Sequence, residues 1–515
     1  EVAAGKLVMI NNLGYEYGAP GPGSCPGLVW TCPKSGFYDL SGSLHDIGVG
    51  GNGVEWNLHV GTTVLDSGNI DDQSCDAFAL TNQLIGAGET YILTFNSRGD
   101  ITGDLTEVEF NVTEILNETS ADDFLLHHSK GSSAVESDFQ PIETGLGPDT
   151  NWVIAPNQGR SSDGSLPFFN IEQPDGTGRI LAVGWTGQWQ TAFRRTTGNL
   201  LNVQAGLELM HVSLTPGEKI RVPSMLLMFW SGNYRDSQNQ FRHLMLDHYT
   251  PGEAGITFQG PVAASVHGTY GFEATTATNM INFINTTASH SYPVQYIWID
   301  AGWYDFNGGD TWVYVGTWEP DPVRYPNGMK PVADAAHNRG YKFLLWFEPE
   351  RVTSGSWLDV NHPDWIFKNG GGWWLLNLGN PDALAWMKSK FSGMIGDIGI
   401  DCYRQDFNVF PLAKWRYGEA SDRLGMNEIK HIMGLYEYLD YLLEQHPNLV
   451  IDNCASGGRR IDMEMMKRSV PLWRSDLCWV ATPEQSMEYG LSNWISLHGV
   501  GSVSLNKYDF RSGMG

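Results

Sequence analysis

The first half of the chain alternates short runs of hydrophobic and polar residues, separated by turns rich in Gly, Asp and Asn. Residues 1–116 show this period of two with almost no helical periodicity, which predicts a small β-sandwich. A polar connector follows, and residues 126–260 alternate in the same way up to a helix-like segment that begins at Tyr234. We therefore predict a second β-sandwich there, packed on the part of the chain that follows.

After residue 261 the pattern changes to apolar runs that alternate with amphipathic segments of helical length. Runs that are apolar on both faces and separated by helices are typical of a parallel sheet. Seven such runs, with no antiparallel run between them, favour a (β/α)8 TIM barrel over residues 261–515. An eighth strand has no obvious place before Gly515. We expect either truncation of the chain near the last strand or an irregular closing element.

Each of these apolar runs ends in polar residues. In chain order these are Asp300, Glu348 with Glu350, Asn377, Arg404 with Asp406 and Asn408, Cys454 with Ser456, Asp476, and His498. The carboxyl ends of barrel strands converge on one mouth, where catalytic side chains from several strands meet. Capping of the following helices would explain one or two of these residues, but not a series along the whole unit. The pattern therefore predicts a catalytic mouth.

Composition narrows the class of partner. Lys and Arg number 32 against 58 Asp and Glu, so the net charge is −26 and repels nucleic acid and anionic membranes. Neutral sugars are unaffected by net charge, and the 20 Trp side chains suit stacking on sugar rings. The expected partner is an oligosaccharide or glycan, with no nucleic acid and no membrane. A homo-oligomer is left open.

No apolar run approaches the length of about 18 residues that a transmembrane helix needs. The chain begins at Glu1 without a Met or a leader, as removal of a signal peptide or a cloning boundary would produce, and we expect a secreted or periplasmic protein. The six cysteines show no metal-ligand spacing, so neither a metal nor a cofactor is expected. Cys25 and Cys32 are candidates for a disulfide, with free thiols as the equal alternative.

Several acids at an aromatic-rich mouth, without a metal motif or a phosphate-binding glycine loop, indicate catalysis by paired carboxylates. Glycoside hydrolysis uses two such acids, about 5–5.5 Å apart for retention of configuration and about 6.5–9.5 Å apart for inversion. Asp406 and Asp476 end the fourth and sixth predicted strands. We expect their side chains to face each other across a sugar.

An arginine stands two residues before each of these acids. Arg404 shares the side of the strand with Asp406, so it is expected to lower the pKa of Asp406 and keep it ionised. Arg474 would do the same to Asp476, but an acid catalyst needs a raised pKa. We therefore expect Arg474 to turn away from Asp476 or to pair with another acid.

Six segments occur in order and at plausible spacing over roughly residues 170 to 515: "GRILAVGWTGQWQ", "IWIDAGWY", "WEPDPVRYPNGMKPVADAAHNRGYKFLLWFEPERV", "YRQDFN", "DNCASGGRRID" and "WRSDLCW". Together they resemble glycoside hydrolase family 36, the melibiase-type α-galactosidases, a family that includes α-N-acetylgalactosaminidases. The resemblance implies a retaining mechanism in which Asp406 is the nucleophile and Asp476 the general acid/base. It selects the same pair of acids as the strand-end pattern.

The resemblance also implies sugar contacts. Asp300 matches an acid that binds sugar hydroxyls, and Arg404 stands at the position of a sugar-contacting lysine. Cys454 and Gly457 match the segment that faces the substituent at the second carbon of the sugar. The candidate sugar-binding set also includes Trp303, Trp318, Trp346, Glu348, Asn408 and Arg474.

The chain departs from the family pattern at three positions. Ala301 replaces the second acid of an Asp-Asp-Gly-Trp sequence, Thr317 replaces the acid of Gly-Asp-Trp, and Arg404 replaces the lysine. Arginine presents a planar fork of donors, whereas lysine offers a point charge on a flexible stem. Each change touches the sugar pocket and leaves both catalytic acids, so hydrolysis is better supported than galactose specificity.

The remaining members of the set carry alternatives. Trp303 and Trp318 are the tryptophans expected to stack on sugar, against an ordinary place in the core. Glu348 is expected to support the site through Arg404 or Arg351, with a structural ion pair as the equal alternative. Asn408 is expected to orient its neighbours.

These inferences converge on an exo-acting α-glycosidase that releases terminal α-galactose-type sugars. The alternatives within enzymes are an α-N-acetylgalactosaminidase and an α-galactosyl transglycosylase. Outside enzymes, a carbohydrate-binding protein on a hydrolase scaffold is disfavoured because both acids are present. The N-terminal sandwich either binds carbohydrate, with Trp30, Tyr38 and Trp56 as the candidate platform, or acts as a stabilising spacer.

Overall fold

A computed structural model describes most of the chain. The described residues are 8–10, 27–32, 36–46, 53–71, 74–85, 89–97, 106–115, 124–196, 200–252, 260, 262–272, 274–305, 314–371, 373–502 and 506–513. Within these ranges no helix is long and apolar enough to cross a membrane. Cys25 lies outside them, so its disulfide with Cys32 stays a prediction.

The N-terminal unit is built from two antiparallel sheets that face each other. The alternating runs form β1 (Val8–Ile10), β2 (Gly27–Thr31), β3 (Gly36–Asp46), β4 (Val54–Val60), β5 (Thr63–Ile70), β6 (Cys75–Ile85), β7 (Thr90–Ser97) and β8 (Thr106–Ile115). The sheet orders are β2-β7-β4-β5 and β6-β3-β8. Leu40 from one sheet and Leu93 from the other meet in a single core.

Two of the three residues proposed as a carbohydrate platform belong to this core. Tyr38 is 2% exposed and Trp56 is 1% exposed, and the Trp56 Nε1–H is bound to Asp76 Oδ2 (2.9 Å). The side chain of Trp30 lies outside the described residues. Tyr38 and Trp56 therefore stabilise the sandwich rather than present rings to a sugar, which corrects that interpretation.

The second unit is again a pair of antiparallel sheets. Its elements are β9 (Phe124–Ser129), β10 (Pro141–Leu146), β11 (Asn151–Ile154), β12 (Phe168–Glu172), β13 (Thr177–Gly184), β14 (Trp189–Arg195), β15 (Leu201–Leu207), β16 (His211–Val212), β17 (Ser224–Ser231) and α1 (Tyr234–His248). The sheet orders are β1-β17-β13-β12-β9-β10 and β11-β14-β15. Strand β1 pairs with β17, from Val8 opposite Leu227 to Ile10 opposite Met225. The predicted boundary at residue 116 is therefore crossed by the first strand.

The third unit is a parallel sheet with helices between its strands. Its elements are β18 (Ala263–Ser265), α2 (His267–Tyr270), α3 (Ala277–Ser289), β19 (Tyr296–Ile299), α4 (Lys330–His337), β20 (Lys342–Phe347), β21 (Arg351–Thr353), α5 (Trp357–Asn361), a 3-10 turn (Pro363–Trp365), β22 (Ile366–Phe367), β23 (Trp373–Leu376), α6 (Pro381–Ile398), β24 (Cys402–Gln405), α7 (Leu412–Trp415), β25 (Arg423–Leu424), α8 (Met426–Gln445), β26 (Val450–Asn453), α9 (Met463–Met466), α10 (Ala481–Leu491) and α11 (Lys507–Ser512). The parallel order is β18-β19-β20-β24-β26. Helices α3, α4, α6 and α8 lie in the successive connections, as the alternating pattern predicts.

Four details of the predicted sheet are wrong. The third predicted strand, β23, pairs antiparallel with β21 and β22 in a separate sheet, so β20 lies directly beside β24. Strand β18 was not anticipated. The sixth predicted strand forms isolated bridges, such as that between Val470 and Asp452. The seventh predicted strand is missing, because residues 492–500 contain no strand. A short apolar run does not reveal whether both its faces are buried, which is why β23 was assigned to the parallel sheet. In the structure, Trp373 of β23 is 40% exposed.

The second sandwich and the parallel-sheet unit share one hydrophobic core. Phe169 and Trp189 of the sandwich pack in the same cluster as Phe407, Trp415 and Met426. Strand β16 of the sandwich pairs with β25. The sandwich is therefore held against the strand ends, where its loops reach the predicted mouth.

A buried carboxyl, Glu428 of α8, lies in this interface. Its Oε1 accepts hydrogen bonds from Trp185 Nε1 (2.8 Å) and from the backbone N–H of Gln188 (2.7 Å), both of the sandwich. Burial raises the pKa of Glu428 to about 7. The folded protein therefore holds a proton that the unfolded chain releases at lower pH.

Replacement of Glu428 by Gln tests this interface. The stabilisation from the protonated carboxyl is complete below the unfolded pKa, about 4.5, and is lost as pH rises through about 7. Relative to Glu428→Gln, the wild type should lose about 3 kcal/mol of unfolding free energy between about pH 4.5 and pH 8, measured by urea denaturation. Glu437→Gln, at a 62% exposed position of the same helix, is the matched control. A pH-independent difference for Glu428→Gln would contradict the assignment.

Candidate active site

Strand β24 sends its side chains into two environments. Tyr403 packs in the hydrophobic core, and Gln405 donates from Nε2 to Glu350 Oε1 (2.9 Å). Arg404 and Asp406 follow the period of two and lie on the opposite side. Because side chains alternate between the two faces of a strand, the guanidinium of Arg404 and the carboxylate of Asp406 lie on the same side at the end of the sheet.

The Asp406 carboxylate is held by donors on both oxygens. Oδ1 accepts from the backbone N–H groups of Phe407 (2.7 Å) and Ser456 (3.0 Å). Oδ2 accepts from Trp346 Nε1 (3.2 Å) and Asn408 Nδ2 (3.0 Å). These donors fix the orientation of the carboxylate and favour its ionised form.

The pKa of Asp406 lies below its ordinary value. Burial by itself raises this pKa, but the positive charge of Arg404 and the hydrogen bonds from Ser456 and Asn408 lower it by more. Asp406 is therefore ionised at neutral pH although it is enclosed. This is the state that a nucleophile needs.

Arg404 acts on Asp406 through its charge, while its direct partners are other acids. Nη1 donates to Asp452 Oδ2 (2.5 Å), and Nε lies 3.4 Å from Asp300 Oδ2. The guanidinium carbon lies 4.7 Å from the ring centre of Trp298. The guanidinium is 4% exposed, so the predicted sugar contact of Arg404 would use a cation that is already held firmly.

Asp476 has the opposite electrostatic environment. Burial, followed by the negative charge of Asp406, raises the pKa of Asp476 to about 6. Trp473 Nε1 donates to Asp476 Oδ1 (3.1 Å) and offsets part of the rise. Two carboxyl groups with pKa values pushed apart are the arrangement expected for a nucleophile and an acid/base catalyst.

Arg474 pairs with acids other than Asp476, as the sequence predicts. Nη2 donates to Glu484 Oε1 (2.8 Å), Nη1 is bound to Glu488, and Nη1 also lies 2.9 Å from His498 Nδ1. The side chain is 0% exposed. This burial contradicts its place in the sugar-binding set, and Arg474 instead ties the segment before Asp476 to helix α10.

The turn after β26 joins the two candidate acids. Ser456, with a φ of 54°, presents its backbone N–H to Asp406. Gly457 follows with a φ of 84°, and a Cβ there would lie 2.8 Å from the backbone N of Asp476. Cys454 is 2% exposed, and its sulfur accepts from the Gly457 N–H (3.4 Å). Glycine is thus required where the turn approaches the chain of the second acid.

Two of the predicted stacking tryptophans are core residues. Trp303 and Trp318 are each 0% exposed, with ring centres 6.1 Å apart, which corrects their assignment as platforms. Trp346 is also buried but contacts Asp406. Exposed rings instead occur at Trp373, 40% exposed, and Phe410, 48% exposed.

These exposed rings line a cavity of about 600 Å³ that reaches Asn408. Tyr314, Thr353 and Lys414 also line it. Because Asn408 is hydrogen-bonded to Asp406, the cavity lies next to the candidate nucleophile. Its aromatic walls suit a sugar ring.

Glu348 is fully enclosed and supports the segment that carries Asp406. Its Oε2 pairs with Arg351 Nη2 (2.5 Å), and its Oε1 accepts from the Asn408 backbone N–H (2.6 Å). The partner is thus Arg351 rather than Arg404. Asp300 accepts from Trp298 Nε1 (3.1 Å) and lies beside Arg404, within reach of the mouth.

Sequence reasoning missed several residues of the site. Asp452 lies two residues before Cys454, so the period of two already placed it on the same side of β26. Trp473 directly precedes Arg474 and was quoted only as part of a family segment. Arg160 of the second sandwich, which contacts Ser456, carries no sequence signal because its partners are distant in the chain. In the described ranges, no group of three or more His, Cys, Asp or Glu side chains is placed to hold a metal ion.

Comparison with known proteins identifies relatives of this site. Residues 251–500 match the model of the Melibiase family. The chain is 27% identical over 355 residues to an α-galactosidase of Escherichia coli, an alignment that covers 66% of this chain and 48% of that protein. The chain spans about half the length of the curated relatives it matches.

Solved structures share the fold. The α-galactosidase from Lactobacillus brevis has a TM-score of 0.68 at 20% identity, over 89% of this chain and 65% of that chain. A variant of a glycoside hydrolase family 36 α-galactosidase from Geobacillus stearothermophilus, in complex with stachyose, has a TM-score of 0.71 at 17% identity, over 95% of this chain and 73% of that chain. These likenesses support a multidomain architecture whose N-terminal part is rich in sheets.

Replacement of Gly457 by Ala tests the close approach of the turn after β26 to the backbone that carries Asp476. The new Cβ would meet the backbone of Ser475 and Asp476 at 2.8 Å in a left-handed conformation, so unfolding free energy should fall by about 1–3 kcal/mol. Calorimetry measures the change. Gly393→Ala in α6, where no atom lies within 4 Å of the new Cβ, should instead raise stability by about 0.5–1 kcal/mol. Equal responses of the two variants would disprove the close approach.

Proposed function

We propose, from the premise that residues 251–500 belong to the melibiase family, that this chain is a retaining, exo-acting α-glycoside hydrolase that releases terminal α-galactose-type sugars. The observation that carries the proposal is the difference between Asp406, whose pKa is lowered, and Asp476, whose pKa is raised to about 6. At mildly acidic pH, below about 6, Asp406 is ionised and can act as the nucleophile while Asp476 still carries a proton to donate. The proposed roles of both acids follow from this difference and from the family pattern.

The first chemical step forms a covalent glycosyl-enzyme. The Asp406 carboxylate attacks the anomeric carbon, the bond to the leaving oxygen breaks, and Asp476 transfers its proton to that oxygen. In the second step Asp476, now ionised, takes a proton from water. The water oxygen attacks the anomeric carbon and the bond to Asp406 breaks, so two inversions leave the α-configuration unchanged.

The parallel sheet is proposed to be part of a (β/α)8 barrel. Its strands β19, β20, β24 and β26 end in residues of one site, which is the arrangement that barrel enzymes use. The likeness of fold to family 36 α-galactosidases supports this proposal. Secretion or export to the periplasm stays a prediction from the sequence.

An oligosaccharide substrate suits the cavity beside Asn408. With the terminal sugar between Asp406 and Asp476, the leaving group would extend along the exposed rings of Trp373 and Phe410. The stachyose complex of a protein with the same fold supports a substrate of this class. An aryl α-glycoside panel that includes N-acetylgalactosaminides, with and without a sugar acceptor, distinguishes hydrolysis of galactosides from the two enzyme alternatives.

Substitution of each acid tests the proposal. Asp406→Ala should lower kcat on an aryl α-galactoside by at least about 10³-fold, because no nucleophile remains. Asp476→Ala should cause a comparable loss with a poor leaving group and a smaller loss in the first step with dinitrophenol, which leaves without a proton. Asp401→Asn, at the opposite end of β24, is the matched control and should keep its activity. Near wild-type turnover by both alanine variants would exclude the mechanism.

The two pKa shifts predict a bell-shaped pH profile. Asp406 must be ionised, so kcat/KM falls at low pH, and Asp476 must be protonated, so it falls as pH rises through about 6. This alkaline limb should apply to substrates with poor leaving groups. A dinitrophenyl galactoside should lose it, since its departure needs no proton. Identical alkaline limbs for both substrates, in steady-state rates measured from about pH 4 to 9, would argue against Asp476 as the acid.

A further inference from the structure

Arg160 of the second sandwich contacts residues next to the candidate nucleophile. It occupies the connection between β11 and β12, is 0% exposed, and donates from Nη2 to Asp163 Oδ2 (2.6 Å). Its Nη1 reaches the parallel-sheet unit, where it donates to Ser456 Oγ (3.2 Å) and to the carbonyl oxygen of Phe407 (3.4 Å). A sandwich side chain therefore contacts both segments that hold Asp406.

We propose that Arg160 is a positioning residue that sets the direction of a hydrogen-bond chain ending on Asp406, a role that rests on the function proposed above. A guanidinium has donors only, so the Ser456 hydroxyl accepts from it. The hydroxyl hydrogen of Ser456 then goes to Asn408 Oδ1 (2.6 Å). With its oxygen engaged in this way, Asn408 directs Nδ2 to Asp406 Oδ2 (3.0 Å).

The direction of the chain matters because an amide presents a donor on one side and an acceptor on the other. A reversed Asn408 would turn its oxygen toward the Asp406 carboxylate, and repulsion between the oxygens would disfavour the ionised nucleophile. It would also remove the acceptor for the Ser456 hydrogen. Burial lowers the pKa of Arg160 to about 10, which is well above neutrality, so the guanidinium stays charged and imposes one direction.

Other charged or titratable groups act on this region without fixing the amide. Those acting on Asp406 or on Arg160 are Arg404, Glu348, Asp476, Cys454, Asp163, Arg459 and Arg460. In the described part of the chain, the hydrogen bond that the Ser456 hydroxyl accepts comes from Arg160. The direction of the chain therefore depends on a residue of the second sandwich.

Arg195 offers a matched comparison within the same sandwich. It is 3% exposed, donates from Nη1 to the carbonyl oxygen of Leu146 (2.7 Å), and lies 5.1 Å from the ring centre of Phe124. Arg160 likewise lies 4.5 Å from the ring centre of Phe410. The two arginines share burial and ring contact, but only Arg160 begins the chain to Asp406.

The test is the pH dependence of kcat/KM on an aryl α-galactoside. Arg160→Gln offers a side chain that both donates and accepts, so it should lower kcat/KM at neutral pH by roughly 10-fold and move the acid limb to higher pH. Arg160→Lys keeps a donor-only cation and should return the acid limb toward its wild-type position. Arg195→Gln should lower the unfolding temperature and leave the acid limb in place.

Ser456→Ala removes a hydroxyl from the hydrogen-bond chain but keeps Arg160 and its packing on Phe410. It therefore separates the effect of the hydrogen bonds from the effect of that packing. It should move the acid limb in the same direction, and the double variant Arg160→Gln/Ser456→Ala should move it no further than either single variant. Two results would overturn the role of Arg160 and leave the proposed function standing. One is an acid limb that does not move in Arg160→Gln, and the other is a shift in the double variant that equals the sum of the two single shifts. A wild-type protein inactive on the whole glycoside panel would overturn the proposed function and this role with it.

Discussion

A partly buried carboxylate that must stay ionised, that of Asp406, is the constraint on which the site depends. Removing such a charge from water costs several kcal/mol unless other groups compensate. At Asp406 the compensation is divided between the charge of Arg404 and donors on both carboxylate oxygens. These donors come from Trp346 of β20, from the end of β24 and from the turn after β26, where Ser456 supplies a backbone N–H. Polar residues therefore follow strands that are otherwise apolar.

In the part of the chain that the structure describes, the second acid, Asp476, forms no ion pair with a Lys, Arg or His side chain. Arg404 is occupied by Asp452 and Asp300, and Arg474 is occupied by Glu484 and Glu488. Asp476 is then governed by burial and by the charge of Asp406, and its pKa rises. The distribution of two arginines among several acids thus determines which aspartate is ionised and which retains a proton.

Sequence reasoning succeeded where local pattern decides the structure. Alternation predicted both sandwiches, helical periodicity predicted α1, and the period of two placed Arg404 beside Asp406. It failed where tertiary packing decides. Trp303 is of a residue type that stacks on sugars, but whether its ring is exposed depends on the aromatic rings packed around it. The contacts of Arg160 form across a domain interface, and no spacing along the chain predicts them.

Arg404 also bears on how sugar choice is related to catalysis. Where the family pattern has a lysine on a flexible stem, this chain holds a planar guanidinium beside Trp298, paired with Asp452 and lying close to Asp300. Ala301 is 1% exposed in place of a second acid, so Asp300 is the carboxylate left at the end of β19 to accept hydroxyl hydrogens. If the proposed sugar site is correct, a fixed fork and one acceptor should accept a narrower set of hydroxyl geometries than a mobile ammonium with two acids. Asp406 is oriented by hydrogen bonds from Trp346, Asn408 and Ser456, but its ionisation also depends on the charge of Arg404. In the proposed hydrolase, a change at Arg404 would therefore alter the state of the nucleophile as well as the choice of sugar.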